Sequence, residues 1–225
     1  MQSWGLTDPG CVRKQNQDSY RIEQLDRGNL LCIVCDGMGG AKSGNIASSL
    51  AVDVFVEEVR RCWKPVMEQD KVDQMLRSAV KLANFTVYDQ SRQFEEFDGM
   101  GTTLVAVMVR GRKATVVNVG DSRAYHVGKS GIRQVTKDHS LVESMVDHGD
   151  ITADEAGHHP SRNLITRALG RDTNASCDGY IRPMEKGDYL LLCTDGLVNT
   201  VTDQEMLFEV LHGQDEDSCL HRLME

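Results

Sequence analysis

The chain has 225 residues, enough for one large domain or two small ones, and no composition break, proline-rich stretch or low-complexity linker divides it. Its net charge is −9, with 34 acidic against 25 basic residues, which argues against the basic surface of a general nucleic-acid binder. No apolar stretch approaches the roughly 18 to 20 residues that cross a bilayer, and the opening Met1-Gln2-Ser3-Trp4-Gly5-Leu6-Thr7-Asp8 has neither a basic leader nor an apolar core. The expectation is one cytoplasmic, monomeric domain over 1–225.

In chain order, residues 3–9 and 18–25 read as extended, and 30–35 is the first strong strand. Over 45–62, Ile46, Leu50, Val54 and Val59 recur at helical spacing, with Glu57, Glu58, Arg60 and Arg61 on another face. A second helix is predicted over 71–92 from Val72, Met75, Leu76, Ala79, Ala83 and Val87. Strands 102–110 and 114–119 flank the turn Gly111-Arg112-Lys113, and strands 122–127 and 132–136 flank Gly128-Lys129-Ser130-Gly131. Residues 141–148 and 153–157 are helical pieces in a polar stretch containing Gly149, Gly157 and Pro160. Strand returns over 181–194 and helix over 203–211, with Asp203 as its N-cap. The chain ends inside an amphipathic helix without a C-cap glycine, which predicts truncation rather than a natural terminus.

Tight turns between strands imply antiparallel pairing, and this grouping is not the alternation of a parallel sheet. An α+β sandwich with helices on the sheet faces follows.

Two apolar runs end alike. Leu30-Leu31-Cys32-Ile33-Val34-Cys35 runs into Asp36-Gly37, and Tyr189-Leu190-Leu191-Leu192-Cys193-Thr194 into Asp195-Gly196. Such runs mark strands buried on both faces, and two acids at one end of a core require a compensating cation. Asp-Gly is also a hairpin dipeptide, but a hairpin needs a strand directly afterwards, and helical patterns follow both sites. A third strand exit carries Asp121, and Arg13 precedes Asp18 by five residues. Oxygen-only candidates suit Mg²⁺ or Mn²⁺ better than Zn²⁺. A pair of such ions can activate water and neutralise a phosphoryl group, with Arg13 offering a planar fork to its oxygens.

Other motifs read as structure. Several of the seven cysteines lie in apolar runs, as reduced core thiols do. Cys32 and Cys35 stand three apart in a strand, so they should face opposite sides. His158-His159 lies in a polar loop with no spaced third ligand. The glycine-rich stretch 37–44 holds Lys42-Ser43, but Ala41 and Asp36 occupy the places where a nucleotide phosphate loop needs glycine.

Seven segments, taken in order, resemble the motifs of the metal-dependent type 2C protein phosphatases in their bacterial form. They are 10–19 (Arg13, Asn16, Asp18), 34–40 (Asp36-Gly37-Met38-Gly39-Gly40), 101–104, 118–123, 138–142, 162–170 and 193–197. The resemblance covers roughly residues 4 to 212. It implies a four-layer α-β-β-α sandwich with two central antiparallel sheets, and a flap at about 138–170. Asp36 would bridge two Mg²⁺ or Mn²⁺ ions, with the Gly37 carbonyl on one and Asp195 on the other. Asp121 would hold the third ion of bacterial members, Arg13 would grip phosphate, and Asp18 would order water at the metals.

The implied reaction is hydrolysis of phosphoserine and phosphothreonine in proteins by metal-activated water, without a phosphoenzyme, opposing a bacterial Ser/Thr kinase. The alternative is a catalytically weak phosphoprotein-binding or regulatory member of the same fold. Two positions depart from the family: Gln17 stands where Glu is common, and Met38 where animal members carry a histidine.

Overall fold

The computed structural model describes residues 1–11, 15–39, 43–213 and 215–225. β1 (Asp18–Asp26) and β2 (Asn29–Met38) form a hairpin, followed by helices α1 (Gly44–Cys62) and α2 (Gln69–Gln93). Next come β3 (Gly101–Thr102), β4 (Leu104–Arg110), β5 (Lys113–Val119), β6 (Arg123–Gly128) and β7 (Gly131–Gln134). Helices α3 (Leu141–His148) and α4 (Ala153–His158) precede β8 (Asp178–Pro183) and β9 (Tyr189–Cys193). Short α5 (Asp195–Val198), α6 (Asp203–His212) and α7 (Glu216–Met224) complete the described chain.

The strands make two antiparallel sheets. One is six-stranded, in the order β1-β2-β4-β5-β8 with β3 on the end of β2; the other is three-stranded, β7-β6-β9. Side-chain alternation sorts the core into layers. Leu31, Ile33 and Cys35 of β2, with Leu104, Ala106 and Met108 of β4, pack against Phe55, Val56 and Val59 of α1 and Leu76, Ala79 and Val80 of α2. The intervening Val105, Val107 and Val109 face the second sheet, where Ala124, Leu190 and Leu192 meet them. Beyond that sheet, Tyr125 and Cys193 pack on Met206 of α6 and on Cys219 and Leu223 of α7. This is the expected four-layer α-β-β-α sandwich. Each fully buried aliphatic or aromatic side chain contributes roughly 1.5–3 kcal/mol, so a few dozen hold the layers together.

Cys32 joins the inter-sheet layer and Cys35 the helix-facing one, as alternation requires, and all seven cysteines are free thiols.

Some local expectations change. Residues 3–9 form no paired strand. That segment is held by side chains, with Tyr20 Oη donating to the Gly5 carbonyl at 2.8 Å and Asn16 Nδ2 to Thr7 Oγ1 at 2.7 Å. The stretch 181–194 is two strands in different sheets, β8 pairing with β5 and β9 with β6, because the chain reverses around Gly187 at φ 94°. The N-cap of α6 is Thr202, whose hydroxyl accepts from the Glu205 N–H while the Glu205 carboxylate accepts from the Thr202 N–H; Asp203 is the first helical residue. The predicted strand 102–110 breaks at Thr103, whose N–H donates to the Asp36 carbonyl at 2.9 Å.

Candidate active site

Three acids meet where the two sheets end. Asp36 lies near the end of β2, and Asp18 opens β1 directly opposite it in register. Asp195 follows β9 of the other sheet and begins α5. Asp18 and Asp195 are the acids whose charges act on the Asp36 carboxyl group. Burial first, then the charges of Asp18 and Asp195, push the Asp36 carboxyl up to about 8. Asp121 stands in the turn between β5 and β6. Burial, then Asp195 and Asp138, raise it to about 6 against the opposing pull of Arg123.

Uncharged and basic neighbours hold these acids in place. Thr194 Oγ1 donates to Asp18 Oδ2 at 2.8 Å, a bond between the two sheets. Asn199 Nδ2 donates to Asp195 Oδ2 at 3.2 Å across one turn of α5. Asp138 is committed to Arg123 Nη2 at 2.7 Å and Arg123 Nε at 2.9 Å, and also accepts from Gln134. The Asp36 peptide is gripped on both sides. Its N–H donates to Thr103 Oγ1 at 2.9 Å, and its carbonyl accepts from Thr102 Oγ1 at 2.8 Å and from the Thr103 N–H.

Gly37 has a steric reason to be glycine. A Cβ there would lie 1.9 Å from the Gly44 carbonyl oxygen, so the end of β2 touches the start of α1 backbone to backbone. Its N–H donates to the Gln17 carbonyl at 3.0 Å, which ties the segment before β1 to the same corner.

The acids fit a divalent cation. Half-buried carboxylates gathered at one place repel one another unless a cation lies between them, and their donors are all hard oxygens. Among the described residues, no three His, Cys, Asp or Glu side chains already surround one point. An ion would therefore take protein oxygens in small numbers and complete its shell with water and phosphate, as Mg²⁺ characteristically does.

The structure thus brings Asp18, Asp36, Gly37, Asp121 and Asp195 to one end of the sandwich. Arg13 lies outside the described residues, as do Gly40 and Lys42. Met38 closes β2 and has no proton to donate. Thr102, Thr103 and Thr194 carry no signature of their own in the sequence. The available signal is adjacency, because each lies beside a motif acid or pairs with the strand that carries one.

Two antiparallel sheets between helices, with acids gathered at their shared end, suit a metal-dependent phosphohydrolase. A family model described as protein phosphatase 2C matches residues 12–214, and the chain belongs to that family, whose members depend on metal ions. It is 34% identical over 203 residues to the serine/threonine phosphatase stp of Listeria monocytogenes, covering 89% of this chain and 79% of the relative. Its fold matches the crystal structure of the serine/threonine phosphatase Stp1 from Staphylococcus aureus with a TM-score of 0.91 at 36% identity, over 97% of this chain and 85% of that one. The Mycobacterium tuberculosis serine/threonine phosphatase PstP/Ppp matches with a TM-score of 0.84 at 33% identity, over 96% and 87% of the two chains. No helix among the described residues is long and apolar enough to cross a membrane.

Proposed function

We propose that this chain hydrolyses phosphoserine and phosphothreonine in proteins, with two Mg²⁺ or Mn²⁺ ions at Asp36, Gly37 and Asp195 and a third at Asp121. The observation that carries the proposal is the convergence of Asp18 and Asp195 on a half-buried Asp36 at the shared end of two sheets. When bound, the cations neutralise phosphoryl oxygens and lower the pKa of water enough to make it a nucleophile at neutral pH.

The side chains then divide the remaining work. Asp36 offers its carboxylate between the strand exits on a peptide that three hydrogen bonds immobilise. Asp18, fixed through Oδ2 by Thr194, orients the attacking water by accepting a hydrogen bond from it. Arg13 grips the phosphate through its guanidinium fork, the role that the family resemblance gives it. No cysteine in the chain is followed six residues later by arginine, in keeping with direct attack by water rather than a cysteinyl-phosphate route.

The single domain carries a flap at about 138–170, which selects protein substrates. Its helices are individually capped, by Ser140 and Gly149 on α3 and by a Thr152–Glu155 capping box on α4. Its returning segment is pinned to Thr102, beside Asp36, by paired backbone bonds between Thr102 and Leu169 at 3.1 and 2.8 Å. The enzyme acts as a cytoplasmic monomer opposing a Ser/Thr kinase, a setting in keeping with its seven free thiols.

Hydrolysis of p-nitrophenyl phosphate and of phosphoserine, phosphothreonine and phosphotyrosine peptides, each with Mn²⁺ and with EDTA, tests the reading. Activity on the first three that EDTA abolishes is expected. Turnover that persists in EDTA would remove the metals from the mechanism.

A further inference from the structure

Asp36 lies on β2 and Asp121 in the turn after β5, two strands that are not neighbours in their sheet. Thr103 links them. It is buried, at the break between β3 and β4, and its hydroxyl faces two ways. Oγ1 accepts from the Asp36 N–H at 2.9 Å and shares a hydrogen bond with Ser122 Oγ at 2.7 Å. Ser122 is fully buried and directly follows Asp121.

The methyl group makes a separate contact. A Cβ on Gly120 would lie 2.6 Å from Thr103 Cγ2, and Gly120 has φ 103°, so this turn residue is bare where the methyl group packs. One threonine therefore touches both residues that bracket Asp121 while it holds the peptide of Asp36. On the far side of the turn, the Gly120 N–H donates to His139 Nδ1 at 3.0 Å and its carbonyl accepts from the His139 N–H at 3.0 Å, so the turn cannot retreat from Thr103.

We infer that Thr103 is a positioning residue that sets the spacing between the Asp36 and Asp121 carboxylates, and so the affinity of the cation position at Asp121. This deepens the proposed function and rests on its assignment of Asp121. The hydroxyl does the holding and the methyl the packing, so Thr103→Ser keeps the first and Thr103→Val keeps the second.

Mn²⁺ titration by calorimetry and electron paramagnetic resonance of the full chain reads the effect without turnover. Thr103→Val weakens the Mn²⁺ position at Asp121 roughly 10- to 100-fold, as loss of a bond supporting a ligand does. Thr103→Ser stays within about threefold of the parent, by the same reasoning about which bond survives. Thr103→Val combined with Asp121→Asn binds no more weakly than Asp121→Asn alone, because both act on one position. Should Thr103→Val fail to fold, Ser122→Ala decides instead, since it leaves the Asp36 N–H satisfied and removes only the far partner.

If Asp121→Asn weakens Mn²⁺ while Thr103→Val (or its substitute) binds as the parent does, the inference is overturned and the metal site stands. If Asp121→Asn itself binds as the parent does, the Asp121 assignment falls and takes the inference with it. A lower melting temperature in Thr103→Val with unchanged Mn²⁺ affinity would mark the residue as structural only.

Discussion

Asp18 and Asp36 are register partners across β1 and β2, two carboxylates facing each other at the open end of a hairpin. Like charges directly opposite in a sheet destabilise the pair. Here Asp195 adds a third acid nearby, and the hydrogen bond from Thr194 to Asp18 brings the second sheet to the same end of the sandwich. An arrangement that costs folding energy in the metal-free chain is reconciled by a cation that the folded state binds and the unfolded state does not.

The first prediction concerns Asp36. Asp36→Ala removes the carboxylate that both neighbours face, and kcat for p-nitrophenyl phosphate falls by at least about a thousandfold, because metal activation supplies several kcal/mol of barrier lowering. Circular dichroism should show the same fold in the variant. Near-parental turnover would mean that the reaction centre lies elsewhere.

A pH dependence of stability follows from the same group. The Asp36 carboxyl is raised to about 8, mainly by burial, from an ordinary value near 4. Between those limits the native state binds a proton that the unfolded state has released, so this group makes metal-free stability fall as pH rises. Urea unfolding in EDTA at several pH values from about 5 to 8 should show that decline. Asp36→Asn should flatten it, and Mn²⁺ should reverse it in the parent. A decline equally steep in Asp36→Asn would assign the effect to other groups.

Much of this was legible in sequence because strand alternation and acid-tipped strand exits are local signals. Leu31, Ile33 and Cys35 against Cys32 and Val34 show their two faces in the order of residues alone. The meeting of Asp36 with Asp195 was inferable, since each follows an apolar run, although β9 is only partly buried, with Tyr189 exposed and Leu190, Leu191 and Leu192 half-buried. What sequence did not show depends on partners far away in the chain. Residues 181–194 read as one strand, yet the polar Glu185-Lys186-Gly187-Asp188 within them is a local turn signal, and only the pairing of β8 with β5 and of β9 with β6 shows that the chain changes sheets there. Thr194 looks like part of an apolar run, and only folding places its hydroxyl on Asp18, 176 residues away.

Thr194 gives the next prediction. Thr194→Val removes the donor to Asp18 while keeping side-chain volume, so Asp18 loses its fixed orientation. The expected result is kcat lowered by roughly tenfold, the size of one lost hydrogen bond to a charged group, with little change in KM for phosphopeptide. Thr194→Ser, which retains the hydroxyl, should recover most of the rate. Equal loss in both variants would point to packing of the β-branched methyl instead.

The flap can be tested by exchange. Replacing residues 141–164 by the corresponding segment of a relative leaves the bonds between Leu169 and Thr102 in place. Preference among phosphoproteins should change, while p-nitrophenyl phosphate, too small to reach the flap, should turn over at a similar rate. Exposed Leu141 and Leu164, joined through the Leu141 N–H to the Leu164 carbonyl at 2.8 Å, mark the face that would meet a protein substrate. Parallel changes on both substrates would place the flap's effect on chemistry rather than choice.

The last prediction separates close approach from backbone freedom as the reason for glycine. At Gly37 an added Cβ would meet Gly44 O at 1.9 Å, Gly44 C at 2.4 Å and Gln17 O at 2.8 Å, and all three are backbone atoms. None can swing aside as a flexible side chain would, so Gly37→Ala must push α1 away from β2 and shift Asp36 with it. Overpacking of this kind costs about 3 kcal/mol or more where backbone must move. Gly111 provides the contrast, because it has φ 58° and a Cβ added there would meet nothing within 4 Å. Gly111→Ala meets only the left-handed penalty, about 1 kcal/mol, and lies at a turn remote from the acids. Urea unfolding and Mn²⁺ affinity together read both effects. Gly37→Ala should lose stability and metal binding, whereas Gly111→Ala should lose a little stability and keep its affinity. A Gly37→Ala protein that unfolds at the parental urea concentration and binds Mn²⁺ normally would show that the two backbones have room between them.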